Sequence, residues 1–146
     1  MESGKIKKIK IFHKKGEPGK IVPEAECLVD SGLVGDRFAK GGEKQLTAID
    51  EICESWLLLQ ETEGLCFKRF KANITVENMD LSVFKTGQKL IFEDAELEFS
   101  QENKECFAEC ARVQNKMECM LRNHAKYLKV SKSGKIREND KIKTEE

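Results

Sequence analysis

The sequence predicts a mainly β, barrel-like fold with a few short α-helices. Three observations support this: several short segments alternate apolar and polar residues, glycine-containing turns separate them, and only one stretch has clear helical spacing. The strands do not alternate regularly with helices, which argues against a parallel α/β sheet. The chain has 146 residues, a usual size for one domain. We expect a single domain over residues 5–143, with loose termini at 1–4 and 144–146.

Eight segments have the composition and alternation of strands: residues 5–13, 24–30, 45–49, 73–76, 88–92, 96–100, 127–130 and 135–143. In the first segment Ile9 and Ile11 share one face and Phe12 lies on the other, as a period of two requires. The fifth and sixth segments alternate around the turn at 93–95, and this pattern predicts a hairpin.

One helix interrupts the strands. Asp50 is a typical helix cap, and the helix that follows it is predicted to run to about Leu59. Ile52, Trp56 and Leu59 fall on one face, at i, i+4 and i+7, and we expect this face to be the buried one.

The last two strand segments predict a second hairpin, which turns through Ser133 and Gly134. Asn139 and Asp140 predict a further tight turn, because both residue types tolerate unusual backbone angles.

Residues 31–42 contain four glycines, a density that predicts a loop with positive φ angles or close backbone approaches. The segment lacks the Gly-Lys-Ser/Thr sequence of a phosphate-binding loop. Two interpretations remain open. The segment is either a barrel loop, or a loop whose backbone N–H groups and basic residues Arg37, Lys40 and Lys44 wrap an anion.

Charge and hydropathy exclude several classes of protein. Lysine plus arginine and aspartate plus glutamate each number 26, so the formal net charge is zero, which argues against a broad nucleic-acid-binding surface. The longest uninterrupted apolar run is residues 56–59, whereas a membrane helix needs about 20 residues. The basic N-terminus lacks the apolar stretch of a secretory signal. We expect no nucleic-acid partner, no membrane association and a cytoplasmic location.

The cysteines provide the first functional clue. Cys106, Cys110 and Cys119 fall within fourteen residues, and we expect reduced thiols because nothing in the sequence indicates export. A spacing of four puts Cys106 and Cys110 on one face of a helix. They are either reactive, sulfur-carrying thiols or small buried side chains. Cys106 lies in a polar stretch beside Lys104, so we expect it to be accessible and to have the lowest thiol pKa. Three other cysteines lie in apolar contexts and are predicted to be buried and slow to react: Cys27, Cys53 and Cys66.

A zinc site is the alternative use of this cluster, with Cys106, Cys110, Cys119 and His124 as ligands. Structural zinc sites usually contain two close cysteine pairs, and this sequence has one. We therefore assign no metal ligand, and we expect both His13 and His124 to be exposed.

Seven short motifs occur in an order that resembles the MOSC domain, which is named for the C-terminal domain of molybdenum cofactor sulfurase. They are Gly-Leu-Val-Gly-Asp at 32–36, Lys-Gln-Leu-Thr at 44–47, Phe-Lys-Ala-Asn-Ile-Thr at 70–75, Met-Asp-Leu at 79–81, Thr-Gly-Gln-Lys-Leu at 86–90, Lys-Glu-Cys at 104–106 and Gly-Lys-Ile-Arg-Glu-Asn-Asp at 134–140. The resemblance covers residues 5–143, and the cysteine segment is similar to that of the short, stand-alone bacterial members.

The resemblance implies a β-barrel and a role in molybdenum-cofactor or sulfur-transfer metabolism. It makes Cys106 the sulfur-carrying or cofactor-contacting thiol, and Cys110, one helical turn on, could resolve a persulfide. The implied cofactor-binding residues are Gly35, Asp36, Arg37, Lys44, Gln45, Arg69 and Asn73. Arg37, Lys44 and Arg69 would meet the phosphate of a pterin ligand. Asn73 would either orient the ligand or close a strand turn.

The implied cofactor is the molybdenum cofactor (molybdopterin). Pyridoxal phosphate, also associated with the family, belongs to the desulfurase domain of the large fused enzymes, and we do not expect it in this chain. The implied partners are a molybdenum-pterin compound or a sulfur donor or acceptor protein. Whether the protein is an enzyme is left open. One alternative is a non-catalytic module that binds a molybdenum-pterin ligand, and the other is a zinc or thiol regulatory protein.

Overall fold

The structure is a computed structural model, and it describes residues 4–14, 19–37, 39–42, 45–58, 72–101 and 124–144. Within these ranges the chain forms eleven strands, the helix α1 (Glu51–Leu58) and a 3₁₀ turn at Leu81–Val83. The strands are β1 (Gly4–Ile11), β2 (Lys20–Val22), β3 (Glu24–Leu28), β4 (Gly32–Leu33), β5 (Leu46–Asp50), β6 (Ile74–Glu77), β7 (Lys89–Ile91), β8 (Glu96–Gln101), β9 (Ala125–Lys132), β10 (Gly134–Arg137) and β11 (Lys141–Thr144).

Seven of these strands close into a barrel. The order around the ring is β1, β11, β7, β8, β9, β5 and β6, and β6 pairs with β1 to close it. Each neighbouring pair is antiparallel except β5 and β6, which are parallel. β2 adds to β1, while β10, β3 and β4 form a separate three-stranded sheet. The prediction of a mainly β, barrel-like fold is confirmed.

The core of the barrel receives apolar side chains from all seven ring strands. Phe99 of β8 stacks on Phe84, with ring centroids 4.9 Å apart. The other core residues from ring strands include Ile6, Ile9, Leu46, Ala48, Ile74, Val76, Leu90, Leu97, Leu128, Val130 and Ile142. This packing makes the barrel a filled scaffold whose ends carry the polar clusters described below.

A register shift between Ile6 and Lys8 lets β1 bury more apolar residues than simple alternation allows. Ile6 and Ile9 are both fully buried although they are three residues apart. Ile11 shares the buried face with Ile9, as predicted. Phe12, predicted on the opposite face, is also buried, because the chain leaves the strand after Ile11.

Helix α1 begins directly after Asp50, whose Oδ1 accepts a hydrogen bond of 2.9 Å from the amide of Cys53. This is the N-cap geometry that the sequence predicts. The prediction of the buried face is wrong for Ile52, which is 46% exposed, while Trp56 is partly buried and Cys53 is fully buried. The helix thus packs through the face that carries Cys53. A helix of eight residues is too short for its hydrophobic periodicity to define the buried face.

The predicted hairpin through Ser133 and Gly134 is wrong. β9 pairs with β8 and β5, whereas β10 pairs with β3, so the chain leaves the barrel between β9 and β10. Gly134 passes directly against the carbonyl of Asp94, with no room for a Cβ atom. Arg137 then contacts the Asp94 carboxylate at 2.8 Å. Because the sequence shows only alternation and a turn, it could not reveal that the next strand joins another sheet.

The other predicted turns are confirmed. β7 and β8 form the expected antiparallel hairpin, with Leu90 opposite Leu97. Asn139 has a φ of 70° in the turn between β10 and β11, and the amide of Asp140 donates to the carbonyl of Arg137 at 3.0 Å.

Candidate functional site

The glycine-rich loop over residues 31–42 holds its shape by internal hydrogen bonds. Gly32 has a φ of 139°, and a Cβ atom there would come within 2.9 Å of the Gln45 carbonyl oxygen, so only glycine fits. Six amides of the described part of the loop donate to backbone carbonyls: those of Ser31, Val34, Asp36, Arg37, Ala39 and Gly41. These six N–H groups are therefore engaged within the protein, which favours the barrel-loop interpretation over wrapping of an anion by them.

Asp36 and Asn73 form a buried hydrogen-bond network at this end of the barrel. Asp36 Oδ1 accepts from the amide of Phe12 at 2.9 Å and from Asn73 Nδ2 at 3.0 Å. Asn73 Nδ2 also donates to the carbonyl of Lys10 at 3.2 Å, while its Oδ1 accepts from the amide of Thr47 at 3.1 Å. Asn73 thus links β1, β5 and the glycine-rich loop, which favours a strand-closing role over ligand orientation.

Gln45 has a similar connecting role. Its side chain is buried, its Nε2 donates to the carbonyl of Gly42 at 3.1 Å, and its Oε1 accepts from the amide of Val130 at 2.9 Å. Gln45 therefore ties the glycine-rich loop to β9, at the same end of the barrel as Asn73.

Gly35 and Arg37 are the remaining predicted cofactor-binding residues that the structure describes. Gly35 has a φ of 88°, and the nearest atom to a Cβ placed there would be His13 Cε1 at 3.6 Å. Arg37 is half-buried, and His13 is exposed as predicted. Gly35, Asp36, Arg37, Gln45 and Asn73 are therefore brought together at one barrel end. Two others lie outside the described residues: Lys44 and Arg69.

The predicted thiol chemistry falls largely outside the described residues. This holds for Cys106 and Cys110, the proposed reactive pair, and for Cys66 and Cys119. Two cysteines predicted to be buried are so: Cys27 and Cys53, each fully shielded from solvent.

Cys27 is expected to resist alkylation in the native protein. Burial raises the pKa of its thiol to about 12, with a smaller contribution from the charge of Glu26. At pH 8 only about one thiol in 10⁴ would be ionised, and the thiolate is the nucleophile. Mass spectrometry after treatment with iodoacetamide at pH 8 should show Cys27 unmodified in the folded protein and fully modified in urea. Rapid native labelling of Cys27 would contradict this environment.

His124 lies at the start of β9 and contacts two carboxylates. Its Nδ1 is 2.6 Å from Asp50 Oδ2 and 3.3 Å from Asp80 Oδ1. The Asp50 side chain is fully buried, and the imidazole is only 13% exposed. The prediction that His124 is exposed is therefore wrong, because a partner 74 residues away holds the ring against the barrel.

Asp80 is held in its charged form. Burial alone would raise the pKa of its carboxyl, but hydrogen bonds from the Ser82 hydroxyl and amide, with the charges of His124 and Lys126, outweigh burial and lower the pKa. Lys126 is itself buried, and its Nζ lies 3.4 Å from the carbonyl of Phe84. The cluster thus combines two carboxylates, an imidazole and an ammonium group.

Ligand atoms of Asp50, Asp80 and His124 lie within 4.8 Å of one another, close enough in principle for a metal ion. Asp50 Oδ2 also accepts from the amide of Leu81 at 2.9 Å, and Asp80 Oδ1 accepts twice from Ser82. An ionised carboxylate has about four acceptor sites, so these hydrogen bonds leave each carboxylate able to face either the hydrogen on Nδ1 or a cation.

These two polar clusters lie at opposite ends of β5. Gln45 precedes the strand and Asp50 ends it, a separation of about 16 Å for a strand of this length. β9 runs antiparallel to β5, so His124 lies at the Asp50 end. β8 also runs toward that end. β8 ends at Gln101, which pairs with Tyr127 and so lies level with Thr47, whereas His124 lies at the Asp50 end.

The seven-stranded barrel agrees with the comparison to known proteins. A family model described as the MOSC domain matches residues 35–143. The chain belongs to the MOSC domain family, as the sequence motifs indicate. A comparison with curated protein sequences gives no match.

Solved structures show the same fold. The YuaD protein from Bacillus subtilis is 20% identical, with a TM-score of 0.69 over 97% of this chain and 95% of that chain. YiiM from Geobacillus stearothermophilus is 16% identical, with a TM-score of 0.66 over 98% of this chain and 75% of that one. YiiM from Escherichia coli is 14% identical, with a TM-score of 0.60 over 97% and 70% of the two chains.

In the described part of the chain, no helix has the length and apolar character needed to cross a bilayer.

The Asp50–His124–Asp80 cluster is the part of the structure that sequence reasoning missed. Asp50 was recognisable as a helix cap, which accounts for only one of its oxygens. The other oxygen meets Leu81 and His124, which are 31 and 74 residues away. The only available signal was the position of His124 directly before an alternating strand.

Proposed function

We propose that this MOSC protein acts in molybdenum-cofactor or sulfur-transfer metabolism in the cytoplasm. Cys106 is the sulfur-carrying or cofactor-contacting thiol, and Cys110 is the thiol that resolves its persulfide. The observation that carries the proposal is the MOSC family match over residues 35–143, which includes both cysteines.

The Gly35 end of the barrel supports a ligand of pterin type. Gly35 has a φ of 88° and lies beside the exposed His13, and half-buried Arg37 supplies a cation suited to a phosphate. Lys44 and Arg69 are proposed to add to this charge. Asp36 and Asn73 contribute by fixing the loop and not by contacting the ligand, because Asn73 Nδ2 already donates to Asp36 Oδ1. A molybdenum-pterin group bound there would supply the metal that accepts sulfur.

The sulfur step is redox-neutral. The Cys106 thiolate attacks the outer sulfur of a donor persulfide, the donor S–S bond breaks, and the donor leaves as a thiol after taking up the proton that Cys106 lost. Cys106 then carries the persulfide. Attack by Cys110 on the inner sulfur would release hydrogen sulfide and leave a Cys106–Cys110 disulfide. No external oxidant is required for either step.

Loss of sulfur transfer in C106S is the expected result. Incubation with a cysteine desulfurase and ³⁵S-labelled cysteine should label the wild-type protein and leave C106S unlabelled. The matched control is C27A, which removes a buried thiol of raised pKa and should retain labelling. Equal labelling of C106S and the wild type would contradict the proposal.

A non-catalytic module that binds a molybdenum-pterin ligand is the second candidate. It is favoured by the position of Gly35 and Arg37 at the Gln45 end of β5, whereas His124, which follows the cysteine cluster in the sequence, lies at the Asp50 end. Such a module would keep its affinity for molybdopterin, measured by titration calorimetry, when Cys106 is changed to alanine. A sulfur carrier would lose transfer completely in the same variant.

A further inference from the structure

Three segments that are far apart in the sequence bring one nitrogen and two carboxylates together at the Asp50 end of β5. Asp50 ends β5, Asp80 precedes the 3₁₀ turn, and His124 directly precedes β9. Their ligand atoms lie within 4.8 Å of one another. Ligands held at about 2.0–2.2 Å from one metal ion are about 3–4 Å apart, so the three groups are spaced as the ligands of one small cation would be.

Both carboxylates are held in place by neutral donors. Asp50 accepts the amide hydrogens of Cys53 and Leu81, each at 2.9 Å. Asp80 Oδ1 accepts from the amide of Ser82 at 2.9 Å and from its hydroxyl at 2.5 Å. Hydrogen bonds of this kind orient the carboxylates that ligate metal ions. They fix the positions of the two carboxylates without neutralising their charge.

The charge of the two carboxylates is not balanced by ion pairs with lysine or arginine. Within the described ranges, only His124 forms an ion pair with either of them. Lys126 is the nearby ammonium group, and it contributes least among the groups that act on the pKa of the Asp80 carboxyl. The Asp50 side chain is fully buried, and buried charges in proteins are paired or coordinate a metal. A divalent cation would supply the positive charge that this cluster needs.

The cluster is open to solvent on the side of Asp80. The Asp80 side chain is 44% exposed, and its Oδ2 takes no hydrogen bond from the part of the chain that the structure describes. An ion can therefore enter from this side, and water can complete its coordination.

The contact of 2.6 Å between His124 Nδ1 and Asp50 Oδ2 has the length of a hydrogen bond. A metal ion would take the place of that hydrogen, and the two atoms would move apart by about 0.4 Å. The neutral imidazole then carries its hydrogen on Nε2 and offers the lone pair of Nδ1 to the ion.

We propose that Asp50, Asp80 and His124 bind a divalent metal ion of the class of Mn²⁺ and Zn²⁺. Two carboxylates with one imidazole suit these ions, whereas a set of thiolates would favour softer ones. The site lies at the end of β5 away from Gln45, about 16 Å from it. It is therefore separate from the ligand site proposed near Gly35 and goes beyond the proposed function. The ion joins β5, the 3₁₀ turn and the start of β9.

The test is a titration of the purified protein with Mn²⁺, in which electron paramagnetic resonance measures the free ion. The wild type should remove about one Mn²⁺ per chain from the free pool. In Asp80→Asn the dissociation constant should rise at least about tenfold, because the loss of even a supporting group costs that much. The asparagine keeps an Oδ1 that can accept from Ser82, so the turn is retained. His124→Gln should weaken binding in the same way.

Two matched controls separate this site from general attraction of cations to the surface. Asp94→Asn removes a carboxylate of almost the same exposure, 46%, and His13→Gln removes an exposed imidazole. Both variants should bind Mn²⁺ as the wild type does. Equal weakening in Asp94→Asn and Asp80→Asn would overturn the proposal. Absence of binding by the wild type at millimolar Mn²⁺ would also overturn it and would leave the Nδ1 hydrogen as the link in the cluster.

The cysteine cluster is the other candidate for a metal ion, and the same titration distinguishes the two. Mn²⁺ prefers oxygen and nitrogen ligands to thiolates, so Cys106→Ser should bind it as the wild type does. Loss of Mn²⁺ binding in Cys106→Ser, with binding retained in Asp80→Asn, would overturn the proposal. Because sulfur labelling and Mn²⁺ binding are measured separately, failure of the proposed function leaves this test unaffected.

A measurement on the wild type decides the question if the variants do not fold. Mn²⁺ is paramagnetic and broadens the NMR signals of nuclei near it. At substoichiometric Mn²⁺ the amide signals of Cys53, Leu81 and Ser82 should broaden before that of Val130, whose amide is bonded to Gln45 at the other end of β5. Broadening that begins at other carboxylates would overturn the proposal.

Discussion

Replacing Asn73 by alanine is expected to lower the free energy of unfolding by about 3–5 kcal/mol. The substitution leaves the amide of Thr47 without an acceptor and removes the donors to the Lys10 carbonyl and Asp36 Oδ1. Each buried group left unpaired costs about 1–3 kcal/mol. Urea unfolding followed by circular dichroism would measure the loss, with no ligand present.

The control for N73A is Glu24→Ala, which removes a surface ion pair. Glu24 lies 3.4 Å from Lys135, and both side chains are about half exposed, so its loss should cost less than about 1 kcal/mol. A loss in N73A no larger than in the control would mean that Asn73 is not a structural link. The ligand-orienting interpretation would then be preferred.

Replacing Gly134 by alanine is expected to cost about 3 kcal/mol, because the added methyl group would overlap the backbone of Asp94 and Ala95. The neighbour is main chain and cannot rotate away as a flexible side chain would. Thermal and urea unfolding should both show the loss.

G87A is the matched control for this steric effect. Nothing lies within 4 Å of a Cβ atom at Gly87, but its φ is 95°, so alanine there should cost about 1–2 kcal/mol from backbone strain alone. G134A should be the more destabilised of the two. Equal or smaller destabilisation of G134A would show that the β7–β8 turn moves easily to accept a side chain.

Local signals in the sequence predict local structure well. The alternation on both sides of residues 93–95 predicts the β7–β8 hairpin, and Asp50 predicts the start of α1. The apolar neighbours of Cys27 and Cys53 correctly predict their burial. These features depend on residues within a few positions of each other, so a local sequence pattern is enough to predict them.

Features that depend on distant partners could not be predicted in the same way. The path of the chain after Gly134 depends on its pairing with Cys27, and the burial of His124 depends on Asp50. Resemblance to the MOSC family groups Gly35, Asp36 and Asn73 as cofactor-binding residues, which stays a prediction, and it does not predict that Asn73 and Asp36 hydrogen-bond to each other. Such partners are set by tertiary packing, which one sequence does not display.

The single parallel pair, β5 and β6, follows from simple parity. Strand direction can alternate all the way around a closed ring only when the number of strands is even, and this ring has seven. One like-directed pair is therefore unavoidable, and joining it takes a crossover of about a dozen residues or more instead of a tight turn. The connection from the start of α1 to β6 is long enough for such a crossover. Shortening it to the few residues of a hairpin turn would prevent β5 and β6 from pairing in parallel and would open the ring.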